Sequence, residues 1–324
     1  MQRDFDRGEL QGNKFMMNIL ITGASGFIGT GLIRLLREEP NINLFALSRN
    51  KVKSNYSEVK FVQGDILDSG IIESLFAQTK FDAVIHLAAI TAHSEIVDNR
   101  FKTFDINLKG TENLLKAFNK YCNKAVFFYA STGKVYGKTN EMPITERAFA
   151  NPMNVLGKTK YITEKVIDFY AQPQNKYVIG RIFNVYGEYQ KDNFIVPTIL
   201  KQLDNEKLIL GNLTDKRDYI YIEDLLHAIK ACILKKEKCS NVEYINIGSG
   251  IPVSVEDILQ EIESIIGKKL FVISDKEKFR MDETSVEYCD NTKLRELMGW
   301  SQSYSLHDGL EKVIDWHLKK DRNL

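Results

Sequence analysis

Short apolar runs alternate with segments of helical periodicity in the first half of the chain. In the segments between the runs, apolar residues recur every three or four positions, which is the spacing of an amphipathic helix. This alternation predicts right-handed βαβ units and therefore a parallel sheet. The predicted strands cover residues 19–22, 43–47, 59–62, 83–89 and 125–129, and the predicted helices include residues 71–76 and 104–118 together with a first helix that stops near Pro40.

The second half has a less regular order of strands and helices. Strands are predicted at residues 178–183, 208–211, 218–221 and 244–248, and helices at 196–203, 223–234, 255–266 and 306–318. Without a regular βα alternation, this half predicts a smaller mixed lobe rather than a continuation of the parallel sheet. The chain is expected to cross back to the main sheet more than once.

Three glycines at a spacing of three residues follow the first predicted strand. Gly23 allows a sharp turn, Gly26 lets the backbone approach a phosphate, and Gly29 lets the next helix pack closely on the strand. The N-terminus of that helix offers free N–H groups to an anion. A glycine turn could belong to any βα unit, but the strand before it and the helix after it favour a dinucleotide pyrophosphate site.

These patterns define the expected fold class, an α/β protein with a Rossmann-type doubly wound parallel sheet and a smaller mixed α/β substrate-binding lobe. Residues 17–180 are expected to form the NAD(P)-binding domain, which also receives roughly residues 222–250. Residues 181–324 mainly form the second lobe, interleaved with the first. Residues 1–16 are charged and are expected to be a poorly ordered leader.

Charge and cysteine content exclude several classes of function. Lys and Arg number 44 and Asp and Glu number 43, so a net charge of +1 gives no support for nucleic-acid binding. No apolar run approaches the roughly 18 residues of a membrane span. The four cysteines show no metal-binding spacing, so no metal site is expected and the thiols fit a cytoplasmic protein.

The ends of the predicted strands carry polar side chains that bear on the cofactor. Thr22, His86 and Thr132 follow three strands and are expected to face one crevice. Arg49 and Lys51 follow the second strand, where an acidic residue would accept the ribose hydroxyl of NAD and an arginine suits the 2′-phosphate of NADP. NADP(H) is therefore favoured over NAD(H), and the alternative for both cations is a solvated loop charge.

A series of short motifs in a fixed order resembles the extended short-chain dehydrogenase/reductase family, in its nucleotide-sugar epimerase, dehydratase and 4-ketoreductase group. The resemblance runs from Thr22 to about Trp316. The motifs are TGASGFIG, GDILD, HLAA, NLKGTENLL, STGKVYG, GKTKYITE, RIFNVYG, RDYIYIEDL, YINIGSG and DNTKLRELMGW. Each motif is weak alone, and their shared order and spacing carry the assignment.

The resemblance implies a nucleoside-diphosphate-sugar oxidoreductase that moves hydride at a sugar ring carbon, expected to be C4, as an epimerase or 4-keto reductase. It also implies a cytoplasmic homodimer built from the helices around Leu108–Phe118 and Leu156–Tyr170. The implied cofactor residues are Gly23, Ser25, Gly26, Phe27, Ile28, Gly29, Arg49, Asp65, Ile66, Leu87, Ala88, Ala89 and Lys160. The implied substrate residues are Thr132, Asn184, Arg217 and Arg280, with His93 as a further candidate.

The chain departs from the family at the proton carrier. The family places a tyrosine four residues before the lysine that corresponds to Lys160, and here that position is Leu156. Leucine can neither donate nor accept a proton. A second pair at this spacing, Tyr161 and Lys165, lies about 140° away on a helix, on a face with a solvent-facing composition.

Other side chains could carry the proton. Lys134 stands where related 4,6-dehydratases have an acidic pair, which argues against dehydratase chemistry. His93 is a histidine, the residue type whose ordinary pKa lies near neutral pH. A third route for the proton is Thr132, polarised by Lys160 or by water. The alternative for Lys134 and His93 is a surface or structural role. The sequence thus predicts an atypical enzyme, with a catalytically silent nucleotide-sugar or dinucleotide binder, or a partner subunit, as the alternative.

Overall fold

The computed structural model describes residues 16–50, 56–91, 96, 99–279 and 285–322. The strands, in chain order, are β1 (Met17–Thr22), β2 (Ile42–Ser48), β3 (Val59–Gln63), β4 (Ala83–His86), β5 (Val126–Thr132), β6 (Lys176–Ile182), β7 (Asn184–Tyr186), β8 (Leu208–Leu210), β9 (Lys216–Tyr221), β10 (Val242–Ile247), β11 (Pro252–Val253), β12 (Val272–Ser274) and β13 (Val286–Glu287).

The helices are α1 (Phe27–Leu36), α2 (Ser69–Gln78), α3 (Arg100–Phe104), α4 (Gly110–Tyr121), α5 (Val155–Tyr170), α6 (Ile195–Leu200), α7 (Ile222–Leu234), α8 (Val255–Ile266), α9 (Thr292–Met298) and α10 (Leu306–Arg322). Within the described ranges, no helix has both the length and the apolar character that crossing a membrane requires.

Seven parallel strands form the main sheet, in the order β10-β6-β5-β4-β1-β2-β3. Its strands are apolar on both faces because helices cover both sides. One face packs with α1 and α7 in a core that includes Ile19 and Leu226, and the other packs with α4 and α5 around Leu114 and Ile167. The predicted α/β class with a Rossmann-type parallel sheet is confirmed.

A second set of short strands builds a mixed lobe. Strand β9 pairs in parallel with β7 and β13 and antiparallel with β11, and β8 pairs in parallel with β12. Strand β10, from the same half of the chain, instead joins the main sheet beside β6.

Several predicted boundaries were wrong, each where the chain leaves regular structure at a sheet or helix end. Strand β4 ends at His86 rather than at residue 89, because the chain departs from the sheet at its carboxyl edge. The predicted helix 104–118 is α3 and α4 joined by one π-helical turn, Asp105–Lys109. Helix α6 ends at Leu200 rather than at residue 203, since tighter turns follow it.

Candidate functional site

The turn between β1 and α1 has no room for a side chain at Gly23 or Gly29. Gly23 has a φ of +68°, and a Cβ there would lie 2.7 Å from the Ala88 nitrogen. A Cβ at Gly29 would lie 2.4 Å from the Gly23 oxygen. Gly26 is the N-cap of α1, which has no side-chain capping hydrogen bond. The backbone can therefore approach an anion closely at a helix N-terminus, which fits a dinucleotide pyrophosphate.

Other predicted cofactor residues surround this turn. Ser25 is exposed and accepts a hydrogen bond of 3.0 Å from the Ser48 hydroxyl, and the exposed Arg49 follows it at the end of β2. Phe27 and Ile28 are half-buried in the first turn of α1. The half-buried residues that follow β4 are Leu87, Ala88 and Ala89.

The loop after β3 carries Asp65 and Ile66. One Asp65 carboxylate oxygen accepts the Leu67 N–H at 2.9 Å and so shapes its own turn. Ile66 is buried, and a Cβ on Gly110 would lie 2.4 Å from its terminal carbon. Gly110 thus lets α4 pack against this loop.

The prediction that His86 and Thr22 face the crevice is wrong. The Thr22 hydroxyl is 2.7 Å from His86 Nδ1, and His86 Nε2 is 2.8 Å from the Thr111 hydroxyl. Thr111 donates to the Asn107 carbonyl, so it accepts from Nε2–H, and Thr22 donates to Nδ1. Burial, with a smaller effect of the Lys160 charge, lowers the pKa of His86 to about 3. The last residue of β4 therefore points into the helix layer as a neutral, structural histidine.

Lys160 lies at the base of the site, on α5 beneath the end of β5. Its side chain is buried, with Nζ donating to the Ala130 carbonyl at 2.6 Å and lying 4.6 Å from the centre of the Tyr129 ring. Burial lowers the pKa of this ammonium from 10.5 to about 7, against the opposing charge of Glu164. An amine in this state can exchange a proton near neutral pH.

A buried charge network that sequence reasoning missed lies next to Lys160. Arg181 at the end of β6 donates to both oxygens of Glu164, at 3.2 and 2.7 Å, and the Ser131 hydroxyl donates to the same carboxylate. The Tyr136 and Tyr244 rings each lie within 5 Å of the guanidinium carbon. The available sequence signal was that the charged residues Glu164 and Arg181 belong to the GKTKYITE and RIFNVYG motifs, but their pairing depends on the tertiary fold.

Leu156 and Thr132 occupy neighbouring elements. Asn154 caps α5 by accepting the Gly157 N–H at 2.8 Å, which places Leu156 in the first turn, one turn before Lys160 and on the same side of the helix. Leu156 is half-buried and packs against the core beneath α5. Thr132 is half-buried at the end of β5.

Lys134 follows Thr132 in a short 3₁₀ turn and forms an ion pair with Glu287 of β13, with Nζ and Oε2 2.8 Å apart. Its own N–H donates to the Thr132 hydroxyl oxygen at 3.3 Å. Glu287 was not predicted, because a lone glutamate in a two-residue strand carries no sequence signal of its role.

The predicted substrate residues of the second lobe lie on β7 and β9. Asn184 donates through its amide to the Asp218 carbonyl at 3.3 Å. Arg217 is buried, and its Nη2 lies 3.4 Å from Oδ2 of Asp215. The neighbouring Asp218 carboxylate accepts the N–H groups of Ser249, Gly250 and Cys289, which fixes β9 to the loop after β10 and to the segment after β13.

Three residues named in the sequence analysis, Lys51, His93 and Arg280, lie outside the described residues. Lys165 is exposed and pairs with Asp168 at 3.1 Å, as its surface composition predicted. Tyr161, which was predicted on the same solvent-facing side of the helix, is instead half-buried against a small apolar cluster that includes Val135.

Among the described residues, no group of three or more His, Cys, Asp or Glu is placed to hold a metal ion.

A family model described as GDP-mannose 4,6 dehydratase matches residues 20–313. A dTDP-D-glucose 4,6-dehydratase from Dictyostelium discoideum is 31% identical, over 95% of this chain and 83% of its own length. A UDP-glucose 4-epimerase from Lactobacillus helveticus is 29% identical, over 93% of this chain and 97% of its own length.

Solved structures of similar proteins cover nearly the whole chain. The UDP-glucose 4-epimerase of Thermotoga maritima, solved with UDP-glucose, has a TM-score of 0.82 and 28% identity over 94% of this chain and 99% of its own. The UDP-glucuronic acid 4-epimerase of Bacillus cereus, solved with UDP-glucuronic acid and NAD, has a TM-score of 0.83 and 28% identity over 94% of this chain and 100% of its own.

Proposed function

Because the chain belongs to the GDP-mannose 4,6-dehydratase family of extended short-chain dehydrogenases/reductases, we propose that it is an NAD(P)-dependent nucleotide-sugar oxidoreductase. It acts at a sugar ring carbon, C4, as an epimerase or a 4-keto reductase. The observation that carries the proposal is the placement of the glycine turn and Thr132 at the carboxyl ends of β1 and β5, which flank β4 in the parallel sheet. Ligands of open α/β sheets bind at this edge.

The cofactor site combines the glycine turn with Arg49 and Lys160. A bound nicotinamide supplies or accepts the hydride. The first-turn N–H groups after Gly26 hold the pyrophosphate, and Lys160 positions the nicotinamide ribose. We propose NADP(H) over NAD(H), since the exposed Arg49 follows β2, and an arginine after the second strand suits a 2′-phosphate. The Bacillus cereus structure contains NAD, so NAD(H) is the alternative.

The substrate is proposed to lie between Thr132 and the second lobe. The Thr132 hydroxyl hydrogen-bonds the reacting sugar oxygen, and Asn184, Arg217 and Arg280 bind the diphosphate, for which a guanidinium is well suited. The two solved relatives above contain UDP-glucose and UDP-glucuronic acid, which supports a nucleotide sugar as the ligand class.

Two successive measurements test this function. A thermal-shift screen of UDP-, GDP-, CDP- and dTDP-sugars, with each nicotinamide cofactor, identifies the base. A single-turnover assay of reduced-nicotinamide absorbance with the 4-keto and 4-hydroxy forms of the best ligand then detects hydride transfer. We expect stabilisation by at least one nucleotide sugar and an absorbance change in one direction.

A catalytically silent binder is the second candidate, and Leu156 is the observation that favours it. Such a protein would bind the nucleotide sugar and the dinucleotide but transfer no hydride. Binding without an absorbance change for all tested sugars would establish it and reject the enzyme. The retention of Thr132 and Lys160, which a scaffold does not need, supports the enzyme.

We also propose a homodimer through α3, α4 and α5, which would pair into a four-helix bundle. The apolar stripe that includes Leu114 and Phe118 is fully buried in the protein's own core, so it does not form the interface. Outward-facing apolar residues on these helices remain for that role: Phe101, Phe104, Ile162 and Phe169.

Light scattering tests the dimer at micromolar concentration. Phe169→Asp should give a monomer, whereas the matched variant Phe271→Asp, an exposed phenylalanine of the second lobe, should stay dimeric. A wild-type monomer would reject the proposed interface.

A further inference from the structure

The ion pair between Lys134 and Glu287 joins the two parts of the structure at the candidate site. Lys134 belongs to the turn after β5 of the main sheet, and Glu287 belongs to β13 of the second lobe. Their side chains are only 22% and 9% exposed. The pair is therefore held in one orientation, unlike a surface lysine that moves freely in solvent.

Lys134 touches the elements that carry both predicted ends of the substrate. On one side its N–H donates to Thr132, which we assign to the reacting sugar oxygen. On the other side, Glu287 is the register partner of Arg217, which we assign to the diphosphate. The Lys134 side chain thus crosses from the sugar end of the crevice towards the diphosphate end.

Lys134 also lies beside the position of the missing tyrosine. A Cβ on Gly157 would lie 2.4 Å from the Lys134 carbonyl oxygen, so the first turn of α5 packs directly on the Lys134 backbone. Leu156, which replaces the tyrosine, is the residue before Gly157.

The neighbouring polar groups have other roles. The buried Lys160 amine donates to the Ala130 carbonyl and is assigned above to the nicotinamide ribose, and the Ser131 hydroxyl donates to Glu164. A lysine ammonium has three N–H donors, and Lys134 uses one of them to donate to Glu287. Lys134 therefore keeps donors for a substrate oxygen.

We propose that Lys134, oriented by Glu287, is the proton donor that takes the place of the tyrosine, and that the site reduces a keto sugar rather than oxidising a hydroxyl. This inference rests on the proposed function. In its ion pair with Glu287, Lys134 is an ammonium with N–H donors, so the step for which it is ready is the donation of a proton.

The reaction balances as a ketone reduction. The ketone carbon gains a hydride from a reduced nicotinamide as its C=O π bond breaks. The oxygen takes a proton from Lys134, so an O–H bond forms as an N–H bond breaks. The sugar leaves as an alcohol, the cofactor is oxidised, and the neutral Lys134 amine regains a proton from water.

Single-turnover reduction tests this proposal, with dTDP-4-keto-6-deoxyglucose and its UDP and GDP counterparts as probes. Lys134→Arg is the decisive variant, because a guanidinium can keep the ion pair with Glu287 but does not release its proton. Lys134→Met removes both the pair and the proton. Lys138→Met, an exposed lysine on the same segment, is the matched control.

We expect Lys134→Arg and Lys134→Met each to slow hydride transfer by about 100-fold or more, the usual contribution of a general acid. Lys138→Met should match the wild type. A solvent deuterium isotope effect should accompany the wild-type step, since a proton moves with the hydride. Thermal unfolding of Lys134→Arg should match the wild type, which excludes a folding defect.

Two outcomes would overturn the proposal, and they are distinguishable. Reduction by Lys134→Arg at the wild-type rate would make the pair a structural tie and leave the proposed function intact. Absence of hydride transfer by the wild type with all three keto sugars would overturn both this inference and the proposed reductase.

Discussion

Replacing Lys160 with methionine tests the electrostatics at the base of the site. The Lys160 side chain is 3% exposed, and burial lowers its pKa from 10.5 to about 7. Between these two values the unfolded chain binds a proton that the native protein lacks, so the free energy of unfolding rises with pH. Burying the charged amine costs most below about pH 7. Above about pH 7, the slope of the free energy of unfolding against pH approaches about 1.4 kcal/mol per pH unit.

The assay is urea unfolding of wild type and Lys160→Met, without cofactor, at about pH 7 and about pH 8.5. We expect the wild type to gain about 1.6 kcal/mol relative to the variant between these conditions, because the native lysine is already half deprotonated at the lower pH. The difference in the free energy of unfolding between the wild type and the variant removes the contributions of cysteines and tyrosines, which titrate in both proteins. Lys165→Met, which removes an exposed lysine of the same helix, is the control. A pH-independent difference for Lys160→Met would contradict a lowered pKa of Lys160 in the native protein.

Three further predictions concern the cofactor turn and the buried charge network. Gly29→Ala places a Cβ 2.4 Å from the Gly23 oxygen and should lower the free energy of unfolding by about 1–3 kcal/mol in urea, whereas Gly70→Ala, with 3.3 Å of room, should change it far less. Arg49→Ala should weaken NADP binding about tenfold or more in calorimetric titrations, by loss of a charge-assisted hydrogen bond, and leave NAD binding unchanged. Arg181→Met leaves the Glu164 carboxylate buried without its ion-pair partner and should cost about 3–5 kcal/mol in urea unfolding, and adding Glu164→Gln should recover part of that loss.

The sequence predicts features that depend on local chemistry. The strand–glycine–helix pattern predicts a sharp turn at Gly23 and close packing at Gly29, and a Cβ at either position would clash with backbone. The apolar spacing of Leu114 and Phe118 predicted a buried helix face, and both are fully buried. Regular alternation of strand and helix was sufficient to predict the parallel sheet.

Features that depend on tertiary contacts could not be predicted. The direction of the His86 side chain depends on where β4 leaves the sheet, and its partner Thr111 comes from a helix packed above it. Lys134 and Glu287 are separated by much of the chain, and a two-residue strand brings them together. The predicted roles of Thr132, Asn184 and Arg217 came from family motifs, and they remain predictions until substrate binding is measured.

Single-turnover hydride transfer separates an enzyme from a silent binder. The protein is mixed with reduced nicotinamide cofactor and a 4-keto nucleotide sugar that it binds, and the loss of reduced-nicotinamide absorbance is followed. We expect a full turnover despite Leu156, with formation of the 4-hydroxy sugar. Tight binding of both ligands with no loss of absorbance would contradict it and identify the chain as a silent binder.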